Sequence, residues 1–378
     1  MARRRRSLHF VPGGNDRMLA KALTIPADGL ILDLEDAVAP DRKAATRGVV
    51  REWLTREFGG RERWVRMNPI ATGLGQADLE ETIASRPDGY VVPKPGSAAD
   101  IRAIVRILDR LEQHHGIPNG ATRLTLIATE TPEGLLNIRE IAAATPRTVA
   151  ISWGVEDLGA AMGLGRVRDA QGRYMDIPRY ARVMCAVVAA AAGLEAIDTV
   201  FTDIADLDGL RRECEDGVAM GFTGKISIHP NQVPVINEVF TPSKESVEEA
   251  RQLIALFDEH ARRGVYAFTF KGQMVDAPHL SRAKKLVARA GGSEPGPSAR
   301  PRRRGADRNL AAASRSSPDS GARARRNPGP RQRLRSLSNR SAHRRGRASA
   351  RPRAGRARPS SRRPCRGRRS ERAPVRDR

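Results

Sequence analysis

Two carboxylates in the middle of the chain have the neighbours needed to hold a hard cation. Leu124 to Ala128 and Thr148 to Ser152 are apolar, β-branched runs with the length of buried parallel strands. The first leads into Glu130 within ATETPEG, and the second into Glu156 and Asp157 within SWGVEDLG. Between them, LLNIREIAAA carries apolar residues at helical spacing. A strand–helix–strand crossover is right-handed and lays its two strands parallel in one sheet. Glu130 and Asp157 then project just past the same ends of nearby strands. Paired carboxylates there suit Mg2+, which takes oxygen ligands. Each could equally cap the helix that follows, because acidic side chains are favoured in a first helical turn. This unit alone leaves both readings open.

Other strand-like runs end in the same way. Leu8 to Pro12 runs into Gly13-Gly14 and a helix start at Asn15-Asp16-Arg17. A strand at Gly29 to Leu34 ends in Glu35-Asp36, and Pro40 opens a helix reaching Phe58. RWVRMNP ends at Arg66 to Asn68; DGYVVPKPG ends on Lys94, before a helix from Ala98 to Leu111. AIDTVFTD ends on Asp203 and GKISIHPNQ on His229. Pro12, Asp36, Arg66, Lys94, Glu130, Asp157, Asp203 and His229 thus mark eight strand ends, spaced by 24 to 46 residues. A (β/α)8 barrel of about 250 residues repeats roughly every 31. Count and period predict an α/β TIM barrel. A doubly wound sheet is the alternative, and eight βα units favour closure. The longest gap holds a loop, Gly163 to Ile177, rich in Arg, Asp and Gly, before a helix from Pro178 to Ala192. Catalytic groups of such barrels gather on the carboxyl-terminal face. Here Arg66 and Lys94 join four acidic ends on that face, which reads as a site for an anionic substrate and a metal.

The chain of 378 residues has a formal net charge of +24, but the charge is not spread evenly. From Ser293 onward there are 28 Arg, no Lys and 5 acidic residues, while the first 292 residues are nearly neutral. That body is long enough for a substantial core. The three cysteines, Cys185, Cys214 and Cys365, form neither a metal motif nor a disulfide framework, which makes a reducing cytoplasm the expected location. No apolar run reaches the roughly 18 residues of a membrane span. The apolar stretch after Arg3 to Arg6 is too short for a signal-peptide core.

The motifs LHFVPGGNDRM, LDLEDAV, VRMNP, VPKPGS, IATETPEG, SWGVEDLGAAMG, KISIHPNQ and AFTFKGQMVDAPH, in this order from about Leu8 to Leu286, resemble the citrate lyase β-subunit-like family of the HpcH/HpaI aldolases. Members of that family include malyl-CoA and citramalyl-CoA lyases. The resemblance implies a TIM barrel that binds Mg2+ or Mn2+ and cleaves or forms a C–C bond beside a CoA thioester. It places the metal on Glu130 and Asp157, and metal-bound waters on Glu35 and Asp36. Asp36 also reads as a helix cap. Arg66 matches the arginine that binds substrate oxygens near the metal, and Glu130 also borders the substrate. Arg17 and Lys94 match basic residues at the CoA end, although Lys94 also reads as a structural salt bridge at the barrel rim. His229 reads as a positioning residue rather than a base.

The remaining segments have their own logic. Ser243 to Arg263 is an amphipathic, charge-rich helix, followed by VYAFTFKGQMVDAPHL. By itself Asp276, before Ala-Pro, is an ordinary turn residue. The resemblance makes this segment a lid whose Asp276 acts as acid/base in a neighbouring subunit, and hence implies a homo-oligomer, a trimer or hexamer. The expected organisation is a barrel over residues 1–240, a helix and lid over 241–292 and a basic tail over 293–378. The tail has no aromatic residue and cannot bury a core, so disorder is expected. Arg without Lys is what a G+C-rich gene read in a shifted frame produces. The competing reading is a polybasic arm that binds nucleic acid through phosphates. Within the enzyme class, a citrate lyase β subunit acting on a carrier-protein thioester and a malate or citramalate synthase-type condensation both remain open.

Overall fold

A computed structural model describes Arg4 to Gly291, and the basic tail, with its expected disorder and nucleic-acid reading, lies outside the described residues. Eight parallel strands close into a TIM barrel: β1 Ser7–Pro12, β2 Gly29–Asp33, β3 Glu62–Arg66, β4 Gly89–Pro93, β5 Arg123–Ile127, β6 Thr148–Ser152, β7 Glu195–Asp198 and β8 Gly224–Ser227. Closure comes from β8 pairing in parallel with β1, Ser7 opposite Lys225 and Leu8 opposite Ile226. The period-two alternation of strands sorts the side chains. Leu8, Ile31, Trp64, Val91, Ile127, Ala150, Ile197 and Ile226, one from each strand, fill the interior. The intervening positions, such as Leu30, Leu32, Val65, Val92, Leu126 and Ile151, pack outward beneath the helices in a second, larger core.

Local chemistry sets the helix starts on the carboxyl-terminal face. Asn15 caps helix Asp16–Ala22 by accepting the Met18 N–H at 3.0 Å. Ser97 and Asp100 form a reciprocal capping box at helix Ala98–His114. Thr131 caps helix Pro132–Leu136 by accepting the Gly134 N–H at 3.0 Å. That bond removes the helix-cap reading of Glu130, since Thr131 already fills the role. Asp36 is not a cap either: the 3-10 turn at Pro40–Arg42 precedes helix Lys43–Leu54, and neither start has a side-chain cap.

Several boundaries shift by one to three residues, β8 ending at Ser227 rather than His229, and three elements differ more. Strand β7 stops at Asp198 rather than running to Asp203. Beyond it the Phe201 carbonyl accepts from the Gln232 side chain at 2.8 Å instead of a neighbouring strand, and Asp203 closes a turn on the N–H groups of Ala205 and Asp206. The expected single helix after Glu130 is two short ones, Pro132–Leu136 and Ile138–Ala142, divided at Asn137, whose side chain donates to the Gly96 carbonyl. The helix expected from Pro40 to Phe58 ends at Leu54.

After the barrel, helix Lys244–Arg262 is capped by Ser243 and followed by an antiparallel hairpin, β9 Phe268–Phe270 and β10 Gln273–Val275, then helix Ala277–Gly291. Ala250, Leu253, Val275 and Ala283 give this arm a small core of its own. Its last turn is tied to the segment entering β1 by a bond from the Arg4 guanidinium to the Ala290 carbonyl, 2.7 Å. Among the described residues no helix is long and apolar enough to cross a membrane.

Gly89 on β4 has no room for a side chain, because the Trp64 ring and the Arg123 backbone occupy its place. A Cβ at Gly89 would lie 2.5 Å from Trp64 Cζ3 and 2.2 Å from the Arg123 carbonyl oxygen, which is backbone and cannot yield. Gly89→Ala is therefore expected to destabilise the protein by about 3 kcal/mol or more, at the upper end of overpacking. Circular-dichroism melting of the variant against the parent measures it.

Candidate active site

The carboxyl-terminal mouth of the barrel collects Asp33, Glu35, Asp36, Arg66, Lys94, Glu130 and Asp157. Asp33 ends β2 and Arg66 ends β3, and the two are paired directly in register. Both alternate with interior residues, Ile31 and Trp64, and so turn into the barrel. Arg66 Nε and Nη2 grip the two Asp33 oxygens at 2.7 and 2.6 Å, a bidentate pair that fixes the guanidinium plane. Asp33 in turn accepts the N–H groups of Glu35 and Ala37, so it also shapes the loop that carries Glu35 and Asp36. The remaining nitrogen, Arg66 Nη1, is 3.1 Å from Glu35 and 3.8 Å from Asp36. A second polar layer holds the same loop from behind. Lys43 Nζ donates to the carbonyls of Leu34 and Glu35 and to the Asn68 side chain, and Asn68 is locked to the buried Asp78.

Lys94 has a backbone φ of 49°, a left-handed conformation that is uncommon for a residue with a side chain. It brings two donors into the mouth. The Lys94 N–H donates to Glu130 Oε2 at 2.8 Å. The ammonium lies 2.8 Å from Glu35, 3.0 Å from Asp36 and 3.2 Å from Asp157. Burial alone would lower the Lys94 ammonium, but these carboxylates outweigh it and push it up. The salt-bridge geometry is thus the one this chain adopts for Lys94. Arg17, the other basic residue expected at the CoA end, is exposed on the helix after β1 and makes no ion pair among the described residues.

Glu130 is the buried centre of this group, with 3% of its surface exposed. Its side chain lies against Gly154, where a Cβ would come within 2.4 Å of Glu130 Cγ; only glycine leaves room there. Burial pushes the Glu130 carboxyl up to about 8, and the nearby charges of Glu35 and Asp157 add to the shift. Glu35 is also raised by burial, against the pull of Arg66 and Lys94, and its Oε2 is buried without an aligned hydrogen-bond donor. Asp157 sits in the first turn of helix Val155–Ala161. Among the described residues no three His, Cys, Asp or Glu side chains gather closely enough to enclose a cation unaided. The chemistry of the donor set nonetheless fits a hard divalent ion. Glu130 is an oxygen donor to which no side-chain cation bonds directly among the described residues, and Asp157 is a half-exposed second one. Mg2+ typically uses one or two carboxylates and completes its shell with water and substrate oxygens.

The chain does not bring every expected residue to this mouth. Asp276 lies between β10 and the last helix, paired with His279 Nδ1 at 2.7 Å, and among the described residues nothing bonds it to the group at the barrel mouth. His229 follows β8, where its Nδ1 accepts the Asn231 N–H at 3.3 Å. The buried His9 on β1 bonds Ser227 and is pushed down to about 4 by burial and by His229. Asp33 was not singled out from the sequence. Its signal is the same alternation that turns Ile31 inward, combined with the register that faces it with Arg66.

A family profile described as HpcH/HpaI aldolase/citrate lyase matches residues 6–230. The chain belongs to this family. It is 37% identical over 298 residues to the mitochondrial citramalyl-CoA lyase of Mus musculus, covering 76% of this chain and 86% of that one. It is 36% identical over 286 residues to the (3S)-malyl-CoA thioesterase of Cereibacter sphaeroides, covering 75% of this chain and 94% of that one. Among solved structures, protein CitE from Mycobacterium tuberculosis in complex with magnesium, acetoacetate and coenzyme A matches with a TM-score of 0.63 and 35% identity, over 76% of this chain and 98% of that one. The barrel of this HpcH/HpaI family member is therefore shared with a protein that binds a metal, a keto acid and a CoA.

The raised Glu130 makes stability depend on pH. The folded chain keeps this proton up to about pH 8, whereas the unfolded carboxyl loses it near its ordinary value of 4.5. Between these values the unfolded chain binds fewer protons, so stability falls as pH rises through the window. Glu130→Gln removes the penalty. In EDTA the variant is expected to be more stable than the parent at pH 8.5 by roughly 2–4 kcal/mol, with the difference closing toward pH 4.5. Thermal melts across that range measure it.

Proposed function

We propose that this chain is a Mg2+-dependent carbon–carbon lyase that cleaves a β-hydroxyacyl-CoA of the malyl-CoA or citramalyl-CoA type to acetyl-CoA and a 2-oxo acid. The observation that carries the reading is the buried Glu130 beside Asp157, facing an arginine whose plane is fixed by Asp33. Glu130 and Asp157 are assigned the metal, with Glu35 and Asp36 holding its waters. When bound, Mg2+ or Mn2+ supplies Lewis-acid polarisation of the substrate oxygens. The similarity to citramalyl-CoA lyase and to the CitE complex with magnesium, acetoacetate and coenzyme A supports this assignment.

The protein's own residues then have separate tasks. Cleavage breaks the bond between the hydroxyl-bearing carbon and the carbon next to the thioester. The hydroxyl proton passes to solvent water, the hydroxyl carbon becomes the ketone or aldehyde of the 2-oxo acid, and the bonding pair is left as a thioester enolate that takes up one proton in turn. Arg66 stabilises negative charge as it develops on substrate oxygen, and its pairing with Asp33 means that it need not reorganise. Arg17 is assigned the CoA phosphates, since its charge is unclaimed. Lys94 serves the acidic cluster by keeping Glu35, Asp36 and Asp157 together. Asp276 of a neighbouring copy delivers the proton to the enolate carbon. The arm that bears Asp276 has its own small core and exposes Tyr266 and Met274, each 64% accessible, which suits a segment that packs on another subunit of a homo-oligomer.

Hydrolysis is the second reading, favoured by the similarity to (3S)-malyl-CoA thioesterase. The two reactions leave different products. Residues 1–292 and the full chain, each given malyl-CoA and citramalyl-CoA with Mg2+ or EDTA, are expected to release a 2-oxo acid, trapped as its hydrazone, in the Mg2+ arm alone. Free CoA thiol without oxo acid would establish the thioesterase instead, and turnover of neither substrate would sink both. A separate mixing experiment tests the shared site. Inactive Glu130→Gln and Asp276→Asn oligomers are expected to regain activity after subunit exchange, because some hybrid sites receive both intact groups. If the mixture stays inactive after verified exchange, Asp276 does not act across subunits.

A further inference from the structure

We infer that Trp153, anchored by Asp198, is the residue that sets the spacing between the two carboxylates assigned to the metal. Trp153 is the first residue after β6 and is fully buried. Its indole N–H donates to Asp198 Oδ1, at the end of β7, over 2.7 Å. Its ring meets Tyr174 edge-on with centroids 5.0 Å apart. The next residue, Gly154, is the one whose Cα rests against the Glu130 side chain, and its N–H points to the buried Thr129 hydroxyl at 3.3 Å. Helix Val155–Ala161 starts one residue later and carries Asp157 in its first turn. A single indole bond therefore governs where the chain crosses behind Glu130 and where the helix bearing Asp157 begins.

The anchor itself is built to be immobile. Asp198 is held by Arg182, with Nη2 at 2.8 Å and Nε at 3.3 Å, and accepts its neighbour Thr199's N–H at 3.0 Å. Burial opposes its charge, but Lys225 and Arg182 outweigh that and hold the carboxyl below its usual range. Lys225, on β8 and also fully buried, bonds Glu213 at 2.8 Å and stands 3.5 Å from Asp198. Glu213 receives Arg168 at 2.6 Å and the Tyr174 hydroxyl at 3.1 Å. Tyr174 and Arg168 belong to the long loop after β6, so the network closes on the other side of the same indole. Replacing either end of such a buried charged set leaves the opposite charge unpaired, which is costly. The apolar core alone has no need for this arrangement, because a phenylalanine would fill much of the same space. The indole N–H supplies direction. Trp153 is thus a positioning residue: it contacts neither substrate nor cation but fixes the backbone that carries their ligands.

The inference rests on the metal assignment above, and the test separates the two. Mn2+ binding to the protein is measured by electron paramagnetic resonance, with no substrate and no turnover required. The parent protein is expected to bind Mn2+, and Trp153→Phe to bind it about ten-fold more weakly while keeping its circular-dichroism spectrum. Its kcat at saturating metal is expected to fall less than its metal affinity. Equal Mn2+ affinity in parent and Trp153→Phe would overturn the positioning role and leave the metal site standing. No Mn2+ binding by the parent would overturn both. Should Trp153→Phe fail to fold, Asp198→Glu takes its place: it keeps the negative charge that Arg182 and Lys225 face but moves the oxygen that receives the indole N–H. It is expected to lose about three-fold in Mn2+ affinity, and an unchanged affinity would again overturn the role.

Discussion

Glu130 is buried, and among the described residues the one hydrogen bond it receives comes from a backbone N–H, that of Lys94. A carboxylate placed this way is costly to ionise, and its neighbours Glu35 and Asp157 raise that cost. Much of the mouth makes the placement possible. Gly154 removes the side chain that would collide with Glu130. Lys94 accepts a left-handed backbone so that its N–H and its ammonium both face the acidic group. Thr131 takes over the capping of the next helix, which frees Glu130 from that task. Strain and desolvation gathered at one point, with stable structure around it, are the pattern expected of a site whose charge is completed by something that binds.

The second constraint is the match of Asp33 to Arg66. Their strands are adjacent and in register, and both side chains turn into the barrel mouth. Arg66 is thereby a pre-oriented cation with two nitrogens committed and Nη1 left facing the acidic loop. Asp33 also accepts the N–H groups of the loop that bears Glu35 and Asp36, so cation and anions are positioned by one buried carboxylate. The layer of Lys43, Asn68 and Asp78 behind it prevents that loop from relaxing outward.

Much of this was legible in the residues. Eight apolar runs with polar ends at a regular period identify a closed barrel, because period and burial together leave few alternatives. Glu130, Asp157, Arg66 and Lys94 were visible as strand ends. The boundaries were less so. At β7 the apolar run continues through Phe201, but the backbone leaves the sheet at Asp198 because a glutamine side chain takes the carbonyl. Asp33 was hidden because a charged residue inside an apolar strand reads as an ordinary end, and only the cross-strand register reveals its partner. The ammonium of Lys94 was placed at the rim, yet whether it faced solvent or the carboxylates depended on a left-handed turn that its residue type does not favour. The arm bearing Asp276 was legible as an amphipathic helix, while the hairpin before Asp276 emerges only in the fold, because its pairing of Phe268 with Val275 turns on three-residue strands too short to mark themselves.

The claim on which the rest depends is that Glu130 holds a proton until a divalent cation replaces it. Isothermal titration of Mg2+ into the protein at pH 7, in two buffers of different ionisation enthalpy, counts the protons released on binding. With the carboxyl pushed up to about 8, close to one proton should leave per cation bound, and Glu130→Gln should abolish that release. Mg2+ binding without proton release, or release undiminished in Glu130→Gln, would contradict the role given to this buried carboxylate.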